Sequence, residues 1–251
     1  MIEQLQFFLD FDGTITTTDV VDLVLGRFAD AKWKDIEKEW IDGKIGSREC
    51  LSRQVELIKA TPEELRALLR EVKVDPYFIS FLKQAEELGV PVAIVSDGFD
   101  IMIEQILKQT LENIPHLLKA IPVFSNKLEW KESRWQAVFP HEMMCSHGCA
   151  NCKPVIMKKL STKADMVVFV GDGLSDRFAA KKANLTFAKG KLLPYCEENK
   201  YPHKKYSSFK EIEAWLSKNH AKYTRAKTGK KGNWIESLKG CFAWILPKKN
   251  S

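Results

Sequence analysis

Several classes of protein are excluded by what this chain lacks. It contains no internal repeat and no low-complexity tract, which excludes repeat arrays and biased, unfolded segments. Its opening residues, MIEQLQFFLDFDG, have no basic start, and Asp10 and Asp12 break the apolar run there. Neither a secretory leader nor a membrane span is expected at that end, so a cytoplasmic protein is. Six cysteines are few for 251 residues, and three of them fall between Cys145 and Cys152. That spacing is not the framework of a small secreted disulfide scaffold, and reduced thiols are expected. Acids are nearly absent from Ser217 to Ser251, where nine Lys or Arg residues face only Glu236. The whole chain carries +6, so the body is slightly acidic and is not expected to bind nucleic acid.

A 45% hydrophobic composition in 251 residues is enough for a substantial core. Three short apolar runs end in polar residues: Leu5 to Leu9 ends in DFDG, "VPVAIVSDG" in Ser96-Asp97-Gly98, and "MVVFVGDG" in Asp172. Each reads as a buried strand, and in an open parallel sheet ligands bind outside the carboxyl ends of the strands. The three ends are therefore expected to converge on one site. Residues from about Thr18 to Glu87 carry helical spacing, with "TPEEL" at Thr61 offering an N-cap and an N1 proline. This is far more chain than one crossover needs, so a separate helical insertion is expected. "AIPVFSNKLEW" and "WQAVFP" read as a short β-excursion, while "KPVIMKKLS" and "LSDRFAAKKA" read as helices. The alternation predicts a three-layer α/β fold, a Rossmann-like core with a parallel sheet plus an inserted helical cap. The expected limits are 1–17 and 88–216 for the core, 18–87 for the cap and 217–251 for a basic tail.

In "DFDGT" the two acids can meet one substrate only if the second lies past the strand end, where Gly13 lets the chain turn. Asp10 can then attack a phosphorus atom while Asp12 exchanges a proton with the leaving oxygen. "GDGLSD" brings Asp172 and Asp176, oxygen donors suited to Mg²⁺. So much negative charge requires a fixed cation, which Lys153 in "CKP" supplies. Ser96 adds a hydroxyl donor, beside the N–H groups of Asp97 and Gly98. A binding protein without turnover would have no need of both acids.

These motifs resemble the four of the haloacid dehalogenase superfamily. The insertion is similar to the cap of its phosphoserine-phosphatase-like branch, and the resemblance covers roughly Leu5 to Lys189. It implies a phosphatase working through an aspartyl-phosphate on a small phosphorylated metabolite. Asp10 attacks, Asp12 serves as acid then base, Mg²⁺ binds Asp10, the Asp12 carbonyl and Asp172, and Ser96 and Lys153 hold the phosphoryl group. Asp19 matches the position of an acid that grips phosphoserine in that branch. Gln54 falls where the companion arginine belongs, with Arg53 one step off the face, which disfavours phosphoserine. The cysteine-rich stretch before Lys153 is instead similar to the phosphatases of methionine salvage that act on 2-hydroxy-3-keto-5-methylthiopentenyl-1-phosphate, and also to those for phosphoethanolamine and phosphocholine; a phosphatase of broad range on small phosphomonoesters is the next expectation.

Cys145, Cys149 and Cys152 with His147 or His141 have ligands of the kind zinc uses. The other reading is that these thiols pack or hydrogen-bond in the loop that aims Lys153. In the tail, Trp234, Ile235, Leu238, Phe242, Ile245 and Leu246 follow helical spacing among lysines. Residues 230–249 are accordingly a candidate for weak contact with a membrane surface or a protein, or for packing on the body.

Overall fold

The structure, a computed structural model, describes residues 4–141, 148–162, 164 and 166–223. At its centre lies β1 (Leu5–Leu9), with all five side chains buried. A strand apolar on both sides needs cover on both faces, the situation of an inner parallel strand. Its parallel neighbours are β2 (Val92–Phe99) and β5 (Met166–Gly171). Seven strands form one sheet in the order β4-β3-β2-β1-β5-β6-β7, where β3 is Val123–Lys131, β4 Arg134–Val138, β6 Leu185–Ala188 and β7 His203–Lys205.

Several details depart from the sequence reading. The expected β-excursion is part of the main sheet: Val123 and Phe124 pair in parallel with Ile94 and Val95 before the chain turns back as a hairpin. That hairpin turns through Glu132 and Ser133, both at positive φ. Strands β6 and β7 had no counterpart in the reading, since four and three residues are too few to display a period. The helix expected over "LSDRFAAKKA" is a single 3-10 turn (Leu174–Asp176) followed by four α-helical residues, Arg177–Ala180. Asp176 causes the tight turn by accepting the N–H groups of Asp172 and Gly173 on one oxygen.

Five helices follow β1: α1 (Val20–Phe28), α2 (Trp33–Ile41), α3 (Ser47–Val55), α4 (Pro62–Leu69) and α5 (Phe78–Glu87). Helix α4 begins as its sequence predicts, with Pro62 at its start and a reciprocal capping box between Thr61 and Glu64. The two connections to this region pair with each other, Thr17 N–H to Lys73 O at 2.9 Å and Asp75 N–H to Ile15 O at 2.9 Å. Helices α1 to α4 lie beyond that junction. Helix α5, grouped with the insertion in the sequence reading, packs on the sheet, where Phe81 meets Phe7 of β1 edge-on at 5.2 Å.

The remaining helices are α6 (Asp100–Thr110), α7 (Pro115–Ala120), α8 (Lys153–Leu160), α9 (Arg177–Ala180), α10 (Leu192–Glu198) and α11 (Phe209–Tyr223). Alternate residues of β1 point to opposite faces. Phe7 joins the layer that holds α5, α6 and α11, and Phe8 joins the layer of α8, α9 and α10. Three layers result, as expected. Residues 217–223 continue α11. The proposed contact segment 230–249, like Cys145 and His147, lies outside the described residues, among which no helix is long and apolar enough to cross a membrane.

Candidate active site

Three strand ends deliver their polar residues to one place. Asp10 follows β1 directly, fixed by its N–H to Val170 O at 2.9 Å. Lys153 begins α8, and its ammonium donates to Asp10 Oδ1 at 2.7 Å and to Asp176 Oδ1 at 2.6 Å. All three are buried: Asp10 is 4% exposed, Lys153 2% and Asp176 0%. Burial opposes the lysine's charge, but Asp10, Asp176 and Asp97 outweigh it and hold its pKa well above the ordinary value. For Asp10, burial and then the Asp176 charge push the pKa well up despite Lys153. One ammonium does not offset the carboxylates gathered around it.

Asp12 lies past the strand end, as the sequence requires. Its Oδ1 accepts the Val20 N–H at 3.2 Å and its Oδ2 the Ser96 hydroxyl at 3.1 Å. Burial, then the charge of Asp19, pushes its pKa up to about 8. Two glycines leave room for these acids. A Cβ on Gly98 would stand 2.3 Å from Asp12 Oδ2, and one on Gly13, at φ +67, would stand 2.4 Å from Asp172 Oδ2. The Gly98 N–H, expected beside the phosphoryl group, and the Gly13 N–H are both committed internally. Gly98 donates to Ser96 Oγ at 2.9 Å, and Gly13 donates to Thr16 Oγ1 at 3.1 Å and Thr18 O at 3.2 Å. Asp97 lies beside them, and burial pushes its pKa up to about 6.

Asp10, Asp172 and Asp176 each offer a carboxylate oxygen, and these oxygens lie within 4.8 Å of one another. Hard oxygen donors and uncompensated negative charge fit a divalent cation such as Mg²⁺. Asp172 has its pKa pushed up to about 7, by burial and then by Asp176. Thr14, which the sequence reading passed over, orients it by donating to Oδ1 at 3.0 Å. Both oxygens of Asp176 are already engaged, one with Lys153 and the other with two N–H groups, so this residue also sets the geometry of its neighbours.

Above these groups the insertion closes a cavity of about 110 Å³ lined by Asp10, Asp12, Asp19, Glu37, Trp40 and Gln54 among others. Asp19 reaches it while capping α1, accepting the Asp22 N–H at 2.9 Å. Gln54 is 1% exposed and donates to Glu37 Oε2 at 3.0 Å. Arg53 does not line this cavity, and its guanidinium donates to Glu39 Oε2 at 2.6 Å. Among the described residues, no lysine or arginine lines it.

A second residue missed by sequence reasoning is Asn151, buried at 2% exposure, which donates from Nδ2 to the Ser96 and Phe124 carbonyls at 2.8 Å each. It ties the loop before Lys153 to the ends of β2 and β3, and a lone asparagine gives no signal of that. Cys152 is buried at the start of α8, Cys149 borders a larger neighbouring cavity, and the His141 ring packs on Phe124 at 6.2 Å. Among the described residues the one candidate metal cluster is the aspartate group.

Residues 7–181 match the family model of the haloacid dehalogenase-like hydrolases. The chain is 28% identical over 223 residues to a 2-hydroxy-3-keto-5-methylthiopentenyl-1-phosphate phosphatase of Bacillus pumilus, covering 83% of this chain and 94% of that protein. It is also 28% identical over 216 residues to the phosphatase of the same name from Geobacillus kaustophilus, covering 84% and 95%. Among solved structures, a substrate-bound phosphoserine phosphatase complex matches with a TM-score of 0.65 and 24% identity, over 85% of this chain and 98% of that one.

Proposed function

Since the chain belongs to the haloacid dehalogenase-like hydrolases and is a phosphatase of that type, we propose that it hydrolyses a small phosphomonoester through an aspartyl-phosphate on Asp10. The observation that carries this is the buried Lys153 held between Asp10 and Asp176, with Asp12 hydrogen-bonded to Ser96 alongside. Asp10 attacks phosphorus, the bond to the leaving oxygen breaks, and that oxygen keeps the electron pair. Asp12, which holds a proton up to about pH 8, transfers it to the leaving oxygen. In the second step Asp12 takes a proton from water as the water oxygen attacks phosphorus, and the bond to Asp10 breaks to release phosphate. Lys153 and Ser96 stabilise the phosphoryl oxygens, and Asp97 and the space kept by Gly13 and Gly98 shape their side of the pocket. Asp10, Asp172, Asp176 and the main-chain carbonyl of Asp12 would hold Mg²⁺, which when bound supplies charge stabilisation to the phosphoryl group. The cap in this reading is α1 to α4.

The substrate favoured by the two named relatives is 2-hydroxy-3-keto-5-methylthiopentenyl-1-phosphate. Gln54 and the acids of the cap cavity support a leaving group without a carboxylate, which argues against phosphoserine. A second reading rests on that acidic lining together with Trp40: an amino or quaternary-ammonium phosphomonoester such as phosphoethanolamine or phosphocholine. Magnesium-dependent phosphate release from these four compounds, with Asp10→Asn as the blank, tests both. A preference of about 100-fold in kcat/KM for the enol phosphate supports the first reading. A similar lead for a cationic ester replaces it with the second, and activity retained by Asp10→Asn sinks the mechanism.

A further inference from the structure

We propose that Ser47, at the start of α3 in the insertion, is a positioning residue that couples closure of the insertion to the loop carrying Lys153. The inference rests on the catalytic reading of Lys153. The described part of that loop next to Lys153, Gly148 to Cys152, is held from two sides. On the core side are the two hydrogen bonds of Asn151 to β2 and β3, and the Lys153 N–H donates to Asn151 O at 2.8 Å. On the insertion side, the Ala150 N–H donates to Ser47 Oγ at 2.8 Å and the Arg48 N–H donates to Gly148 O at 3.1 Å.

The second contact demands a close approach of two main chains. A Cβ on Gly46 would stand 2.5 Å from Gly148 O, and Gly148 itself has φ +67 with its Cβ position 3.3 Å from Gly46 Cα. Only glycine at both places lets the strands of chain touch. Ser47 also borders both cavities with Asp97 of β2. One insertion residue thus reaches both the lysine loop and the end of β2. Moving the insertion away from the strand ends must break the Ala150 and Gly148 bonds, three and five residues before Lys153. Moving it back restores them, so the lysine is braced when the cavity is closed.

The test compares the full chain with Ser47→Ala and Ser47→Thr on p-nitrophenyl phosphate with Mg²⁺. Loss of the Ala150 acceptor is expected to lower kcat about 10-fold with KM within about 3-fold, and threonine, which keeps the hydroxyl, is expected to recover most of it. A kcat for Ser47→Ala within about 2-fold of the unsubstituted chain overturns the proposal. Should Ser47→Ala fail to fold, hydrogen exchange on the unsubstituted chain decides. Adding Mg²⁺ with orthovanadate is expected to raise protection of residues 46–50 and 148–152 together, and a rise in only one segment overturns the coupling. An unsubstituted chain that releases no phosphate refutes the phosphatase reading instead, and the exchange result then still judges the clasp.

Discussion

Removing the carboxylate of Asp176 tests whether one buried side chain organises the site. Asp176→Ala deletes the charge-assisted bond from Lys153 at 2.6 Å, about 1.5–3 kcal/mol. It also takes the acceptor from the N–H groups of Asp172 at 3.0 Å and Gly173 at 3.2 Å, about 1 kcal/mol each. Against this, Asp10 and Asp172 lose a negative neighbour that raises the pKa of both. The balance is a destabilisation of about 3 kcal/mol, in the range found when one member of a buried ion pair is removed. Urea unfolding without divalent metal measures it. Asp176→Asn is expected to fall between the two, because its amide oxygen can still accept the N–H pair while its NH₂ faces the Lys153 ammonium. A loss below about 1 kcal/mol for alanine, with phosphatase activity intact, would show that Asp176 organises nothing.

Gly98→Ala places a methyl 2.3 Å from Asp12 Oδ2, so kcat on p-nitrophenyl phosphate should fall by about 100-fold or more; a near-normal kcat would contradict the assigned role of Asp12. Burial, then Glu37, pushes the Cys50 thiol up to about 12, and burial pushes Cys196 up to about 11. Peptide mapping after native iodoacetamide treatment at about pH 8 should therefore find both unlabelled under conditions that label the unfolded chain. At the start of α11, bonds from Ser207 first, then Ser208, lower the Glu211 pKa to about 2 from 4.5. Because the folded value is depressed, the stabilisation is complete above the unfolded value and disappears as pH falls through about 2. Glu211→Gln should thus cost about 1 kcal/mol near neutrality, discounted for exposure, and the gap between the two proteins should shrink as pH drops below about 4.5. A gap independent of pH would refute it.

The sequence by itself determined the buried strands, because uninterrupted apolar runs such as Leu5–Leu9 have no other comfortable environment. It also determined that polar residues sit at the strand ends and that α4 starts after the Thr61 cap, since caps and strand termini are local chemistry written in adjacent residues. The convergence of Asp10, Asp12, Asp172 and Lys153 was legible only through the rule that open parallel sheets bind ligands at one edge. Tertiary structure decided what depends on residues far apart in the chain. It placed α5 on the sheet through Phe81 and Phe7, a packing that helical spacing cannot distinguish from packing within the insertion. It diverted the N–H groups of Gly13 and Gly98 to Thr16, Thr18 and Ser96, and it gave Asn151 and Ser47 their roles. A hydrogen bond across 103 residues, such as Ala150 to Ser47, leaves no periodicity behind. Its partners are chosen by where the folded backbone brings a donor and an acceptor together.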